Sequence, residues 1–280
     1  MNKKVKEAAI ILIDLALKDD VGEGDITTDN IVPSELRRKA KMVAKSDGVV
    51  AGLPVAEMVF RKLDQDLTWN ELTPDGTKVK KGDVLVEFEG TYRALLTGER
   101  TALNFLQRLS GIATMSAIYA DAVKDFQTVI LDTRKTLPGF NKLDKYAVKT
   151  GGASNHRLGL HDMAMIKDNH IEVAGGITAA VKAVRSSVEH GIKIEVETTT
   201  LEQVQEAIDS KADVIMLDNM DLETMRKGVQ LIAGRAKVEA SGNITLERLR
   251  DVAATGVDYI SIGALTHSVS AMDISQRIED

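Results

Sequence analysis

Cysteine is absent from these 280 residues. That excludes a disulfide framework, a thiolate nucleophile and cysteine-ligated zinc, and it suits a reducing, cytoplasmic setting. Aromatic residues make up only 4% of the chain, too few to offer the stacking platforms on which single-stranded nucleic acids bind. Positive charge is not in excess either. The net charge is −6, whereas a nucleic-acid footprint normally needs a basic face. No apolar run approaches the roughly 20 residues of a membrane span. Lys3, Lys4 and Lys6 precede an apolar stretch, as in a secretory leader. Asp14 interrupts that stretch, however, and no small-residue cleavage site follows. An amphipathic helix over about residues 5–18 is the expectation. These absences point to a small-molecule substrate, with neither nucleic acid nor membrane as partner.

What is present is ordinary globular material, 44% hydrophobic and 28% charged, in a chain longer than the roughly 100–200 residues of one domain. The second half is rhythmic. Short β-branched runs recur at TVILD (128–132), MAMIK (163–167), IKIEVE (192–197), DVIMLD (213–218), KVEA (237–240) and DYISIG (258–263). Helix-start signals lie between them: Thr200 with Gln203 as a capping box, Asp221, and Thr245. Apolar strands alternating with helices imply a parallel sheet. The six runs end on Asp132, Lys167, Glu197, Asp218, the Ser241-Gly242-Asn243 turn and Gly263. Such ends converge at the mouth of a barrel, so an incomplete, six-stranded α/β barrel is predicted. The first 110 or so residues differ. A helix at about 55–63 separates strand-like stretches punctuated by Asp-Gly and Gly-Asp turns, an α+β domain on an antiparallel sheet. A helical region from Tyr92 to Lys124, broken at Gly111, is expected to join the two.

The chemistry gathers between Asp132 and His170. Seven Lys or Arg stand there against four Asp, and NHRLGLHDMAMIKDNH (155–170) holds three of the five histidines. Lys142, Lys145 and Lys149 are read as solvated. Arg134, Arg157 and Lys167 are read as an anion site, since a guanidinium matches a carboxylate or phosphate bidentately. Glu195 and Glu197 alternate along one strand and Asp218 ends the next, so Glu197 and Asp218 suit Mg²⁺, sugar hydroxyls, or both. Glu195 is given even odds of pairing with a nearby lysine, and Asp132 is read as a structural partner. Ser241, Gly242 and Asn243, set before a helix N-terminus, and Gly263 after the last strand suit a phosphate. Together these features describe an enzyme handling a phosphorylated sugar and a small polyanion.

At this point the residues resemble a known family. DTRKTLPG, KYAVKTGGASNHRLGLHDMAMIKDNH, IEVE, IMLDN, EASGNI, DDVGEGDITT and GERTALNFLQRLSGIAT are similar to quinolinate phosphoribosyltransferase, the carboxylating nicotinate-nucleotide pyrophosphorylase. The likeness runs from about residue 15 to 270. Ala153 and Asn141 depart from the pattern, where a glycine and an arginine are common. The resemblance implies an N-terminal α/β open sandwich over 1–112, to which 266–280 returns. It also implies an incomplete barrel of the type II phosphoribosyltransferase kind over 113–265. It implies a transfer from phosphoribosyl pyrophosphate to quinolinate with loss of pyrophosphate and CO₂, giving nicotinate mononucleotide in de novo NAD biosynthesis.

By the same resemblance Arg134, His156, Arg157 and Lys167 bind the two carboxylates of quinolinate. Arg100 comes from the second chain of a homodimer, with higher assembly left open. Lys135 and Mg²⁺ neutralise the departing pyrophosphate. Glu197 and Asp218 take the ribose hydroxyls and the developing anomeric charge, directly or through a metal, and Ser241, Gly242, Asn243 and Gly263 take the 5′-phosphate. His161 and His170 are expected to be supporting residues. The rivals are a pyrophosphorylase-like protein of molybdate transport, a nicotinate phosphoribosyltransferase, and a non-catalytic phosphosugar sensor. A zinc hydrolase does not fit, because no His-x-x-x-His pair encloses a glutamate.

Overall fold

A computed structural model describes residues 1–279 and resolves two compact units. The first comprises Met1–Ala117, Thr136–Gly152 and the chain from Ala264 onward; the second comprises Ile118–Lys135 and Ala153–Gly263. By contact the segment 136–152, which the expected division after residue 112 placed with the barrel, groups with the first unit.

The first unit runs through α1 (Lys3–Val21), α2 (Thr28–Ile31), β1 (Arg37–Ala44), β2 (Gly48–Val49), α3 (Leu53–Leu63), β3 (Thr68–Glu71), β4 (Lys78–Val79), β5 (Val84–Thr91) and α4 (Tyr92–Ala122), and later α5 (Asn141–Thr150). α1 starts where Asn2 Oδ1 accepts the Val5 amide, and it buries Val5, Ala9 and Ile13, one side chain per turn. β1 pairs antiparallel with β5 on one side and with the C-terminal strand Ile274–Ile278 on the other, and β3 flanks β5. Phe60 of α3, Trp69 of β3 and Phe88 of β5 pack with ring centroids 5.0–6.3 Å apart, which concentrates the scarce aromatics in one core.

α4 is continuous for 31 residues, so the break expected at Gly111 does not occur. Glycine stands there for clearance, not conformation. A Cβ at Gly111 would come within 2.2 Å of the Ser270 carbonyl oxygen, where the returning chain passes.

The second unit carries β6 (Val129–Leu131), β7 (Ala164–Ile166), β8 (Ile194–Thr198), β9 (Val214–Asp218), β10 (Lys237–Ser241) and β11 (Tyr259–Ser261). All its pairings are parallel, in the order β6-β11-β10-β9-β8-β7. Written from β7, that order is sequential and then closes on β6, which is a ring interrupted once. A doubly wound sheet would instead reverse its strand order at a switch point. Ser154 partly fills the gap by bridging to Leu131 in parallel. The helices following the strands are α6 (Asp168–Ala174), α7 (Ile177–Ser187), α8 (Leu201–Asp209), α9 (Leu222–Ile232) and α10 (Leu249–Ala253). Thr200 and Asp221 cap α8 and α9 through their side chains, as read from the sequence. Thr245 does not open α10; residues 246–248 form a turn and the helix begins at Leu249.

Candidate active site

Strand register decides what meets what. In parallel pairs, Glu197 of β8 and Glu239 of β10 both sit opposite Met216 of β9, and Ser241 sits opposite Asp218. Alternation then places Glu195, Glu197, Met216, Asp218, Glu239 and Ser241 on one face. Ile194, Val196, Ile215, Leu217, Val238 and Ala240 take the other, where all are buried. Leu217 shows which face that is, since a Cβ added to Gly228 of α9 would lie 3.2 Å from its methyls. The apolar face meets the helices, so the carboxylates line the interior.

At the mouth, Lys167 follows β7 and caps α6, its amide donating to His170 Nδ1 at 3.0 Å. Its ammonium pairs with the Glu197 carboxylate. Asp218 Oδ2 accepts from Asn219 Nδ2 at 2.8 Å, and Asn219 Oδ1 accepts from Asn243 Nδ2 at 3.0 Å. The Asn219 amide donates to the Ser241 carbonyl at 2.9 Å. Asn219 and Asn243 both adopt positive φ, 53° and 49°, and Gly242 has φ 94°. A Cβ at Gly242 would lie 2.3 Å from Asn219 Oδ1, so this turn needs glycine for both reasons. Asn219 thus ties Asp218 to the Ser241–Asn243 turn. The sequence reading missed it, although the requirement for glycine at 242 signals a close neighbour. The turn is not backed by a helix N-terminus as expected, because α10 begins later.

Arg134 and Lys135 are exposed in the loop after β6, with the Lys135 amide donating to Thr133 Oγ1 at 3.1 Å. Arg157 is half-buried, and its Nη1 donates to the Met163 carbonyl at 3.2 Å. Burial, and then the charge of Arg134, lower its hold on its proton, while Glu195 and Asp162 oppose them. Arg134 and Arg157 are therefore close enough to repel. Asp132 is fully buried and accepts from Asn155 Nδ2 at 2.7 Å and from the His156 amide at 2.8 Å, the structural role foreseen for it.

His156 sits inside the barrel. Its side chain is 7% exposed, with Nε2 lying 3.1 Å from Glu195 Oε2 and 3.2 Å from Glu239 Oε2. Nδ1 accepts the Arg157 amide at 2.7 Å. Both ring nitrogens thus meet protein atoms inside the barrel. Burial lowers the ring's proton affinity, but Glu195 and Glu239 outweigh it and lift His156 to about 10. Burial likewise raises Glu195, with Glu239 adding to it and His156 opposing. Because Nδ1 accepts the Arg157 amide, the ring carries its proton on Nε2, facing the carboxylates.

Glu195 accordingly pairs with no lysine. Lys145, read as solvated, is 3% exposed within α5, whereas Lys142 and Lys149 are exposed. Glu239 went unnoticed in the sequence, although it stands two residues before Ser241 on the same strand face. Gly263 ends the second unit, partly exposed, and Arg100 lies exposed on α4 in the first.

Residues 25–110 match the quinolinate phosphoribosyl transferase N-terminal domain, and residues 112–277 match the C-terminal domain of the same family. The chain is 47% identical over 260 residues to a probable nicotinate-nucleotide pyrophosphorylase [carboxylating] of Bacillus subtilis, covering 93% of this chain and 90% of that one. It is 46% identical over 265 residues to the protein of the same description from Synechocystis, covering 94% and 90%. The crystal structure of NadC from Streptococcus pyogenes superposes with a TM-score of 0.92 at 40% identity, covering 96% of each chain. The chain belongs to the quinolinate phosphoribosyltransferase family.

Proposed function

We propose that this chain transfers the phosphoribosyl group of phosphoribosyl pyrophosphate to quinolinate, releasing pyrophosphate and CO₂ and forming nicotinate mononucleotide for NAD synthesis. The observation that carries this reading is the cation set at the strand ends: Lys167 pairs with Glu197, and half-buried Arg157, anchored on the Met163 carbonyl, feels the charge of Arg134. Holding like charges together without a ligand is unfavourable. A dianion with two adjacent carboxylates converts that repulsion into binding.

Arg134, His156, Arg157 and Lys167 hold quinolinate in this scheme, joined by Arg100 of a second copy in a homodimer. The support for that last assignment is the exposure of Arg100 outside the barrel unit. Glu197 and Asp218 take the ribose hydroxyls and favour positive charge developing at the anomeric carbon. Ser241, Gly242, Asn243 and Gly263 receive the 5′-phosphate on backbone and side-chain donors. Lys135 meets the departing pyrophosphate. Once ribosylated, the ring nitrogen is cationic and stabilises the carbanion left as CO₂ departs. No covalent nucleophile is required; the protein positions the reactants and balances their charge.

The carboxylates of Glu197 and Asp218 are hard oxygen donors on one strand face at the mouth, and they fit Mg²⁺. When bound, Mg²⁺ supplies charge neutralisation for the pyrophosphate. No helix among the described residues is long and apolar enough to cross a membrane, and the cysteine-free composition suits the cytoplasm.

The test supplies phosphoribosyl pyrophosphate and Mg²⁺ with either quinolinate or nicotinate. Nicotinate mononucleotide and CO₂ from quinolinate alone is the expected result. Turnover of nicotinate alone would replace the dicarboxylate pocket with a single-carboxylate one.

A further inference from the structure

We propose that Glu195 and Glu239 are positioning residues of the dicarboxylate pocket: together they hold His156, and His156 holds Arg157. This deepens the functional reading above and rests on it.

The contacts form one chain. Two carboxylates from β8 and β10 grip Nε2 at 3.1 and 3.2 Å, and the opposite nitrogen of the ring receives the Arg157 amide at 2.7 Å. Asp132 secures the adjoining backbone and Asn155. Arg157 is therefore fixed at its root, while its guanidinium carries one contact, to the Met163 carbonyl. Fixation matters here because Arg134 pushes against Arg157, and an unrestrained side chain would swing away from the ligand position. Misplacement by about 1 Å can cost a reaction on the order of a hundredfold.

The burial of the pair supports a functional reason for its presence. Glu195 and Glu239 are 0% and 1% exposed, yet both oxygens of Glu195 and Oε1 of Glu239 meet no hydrogen-bond partner among the described residues, so Glu195 holds the ring by charge at 3.1 Å. A buried oxygen left in this state is destabilising, so the fold gains nothing from these carboxylates that an apolar pair would not give it. A metal would be another reason for three such groups lying within 4.8 Å of one another. Against that, the Arg157 amide occupies Nδ1 and leaves the proton on Nε2, the atom a metal would require.

The experiment measures KM for quinolinate and for phosphoribosyl pyrophosphate separately, with the melting temperature in parallel. Glu239→Leu removes the acceptor for Nε2–H and is expected to raise the quinolinate KM about tenfold, with the phosphoribosyl pyrophosphate KM unchanged. Glu239→Gln retains an acceptor oxygen and is expected to restore the quinolinate KM to within about threefold of wild type. Equal losses for both substrates, or no rescue by glutamine, overturn the proposal in favour of a merely structural role. One equivalent of tightly bound metal in the purified wild type also overturns it. Should Glu239→Leu not fold, the glutamine variant decides alone, since a quinolinate KM outside that threefold range is incompatible with the scheme. If the wild type makes no product, the functional reading falls. Calorimetric binding of quinolinate to the same variants then reads the positioning directly, and a wild type that does not bind quinolinate overturns both.

Discussion

Asp144 in the first unit and Glu195 in the second are both carboxylates with no exposed surface, and the fold treats them in opposite ways. Asp144 is met by the fork of Arg108, with Nε to Oδ1 at 3.2 Å and Nη2 to Oδ2 at 2.8 Å. Arg108 also donates to the Thr266 carbonyl and stacks over Phe140. Glu195 has no guanidinium fork. Its Oε2 lies 3.1 Å from an imidazole nitrogen that a second buried carboxylate also approaches, and neither of its oxygens is hydrogen-bonded among the described residues. The first arrangement satisfies its charge fully and serves the fold. The second leaves charge incompletely satisfied, as sites that must act on a ligand commonly do. Burial alone does not separate scaffold from site; the completeness of pairing does.

Four measurements press on that contrast. The largest effect is expected from Asp144→Ala, which strands the Arg108 charge and should cost about 3–5 kcal/mol in chemical denaturation. A loss below about 1 kcal/mol would erase the distinction. Next, Lys135→Ala removes an exposed cation from the site and should lower kcat/KM about a hundredfold, with stability within about 0.5 kcal/mol of wild type. A destabilised variant of normal activity would invert the assignment.

Third is an alkaline limb belonging to the scaffold. Tyr146 donates to Asp75 Oδ2 at 2.6 Å, and burial, then the Asp75 charge, hold its ionisation well above the usual tyrosine value. Above about pH 10 the unfolded chain loses this proton while the folded one keeps it. Stability should then fall with rising pH, by at most about 1.4 kcal/mol per unit. Tyr146→Phe should flatten that limb. The smallest effect is expected from Asn219→Gly, which keeps the positive φ but loses both side-chain bonds. It should raise the phosphoribosyl pyrophosphate KM roughly three- to tenfold and leave the quinolinate KM unchanged.

Much of the barrel was legible because its strands are β-branched runs ending in polar residues, and each of the six runs contains a strand. The reading failed where tertiary context overrode a local signal. Gly111 looked like a helix break, but α4 runs through it, and the Ser270 carbonyl beside it requires glycine. Thr245 offered a helix start that the turn at 246–248 does not use. Lys145 looked solvated because lysine usually is, and only the packing of α5 shows otherwise. The resemblance gave His156 to the substrate, and nothing local showed what else it meets. Its carboxylate partners come from β8 and β10, some 40 and 80 residues further on, at a separation no local pattern records. Strand parity alone would have placed Glu239 beside Ser241.

The C-terminal strand adds a consequence in time. Ile274–Ile278 is the edge strand beside β1, so the sheet of the first unit lacks a member until that segment is made. On the ribosome, the strands of the second unit are all translated before that final edge emerges. Until then β1 presents unpaired amides and carbonyls along one side, a template for strand addition by another chain. A nascent or truncated chain ending before Ile274 should therefore be the form of this protein most dependent on chaperones.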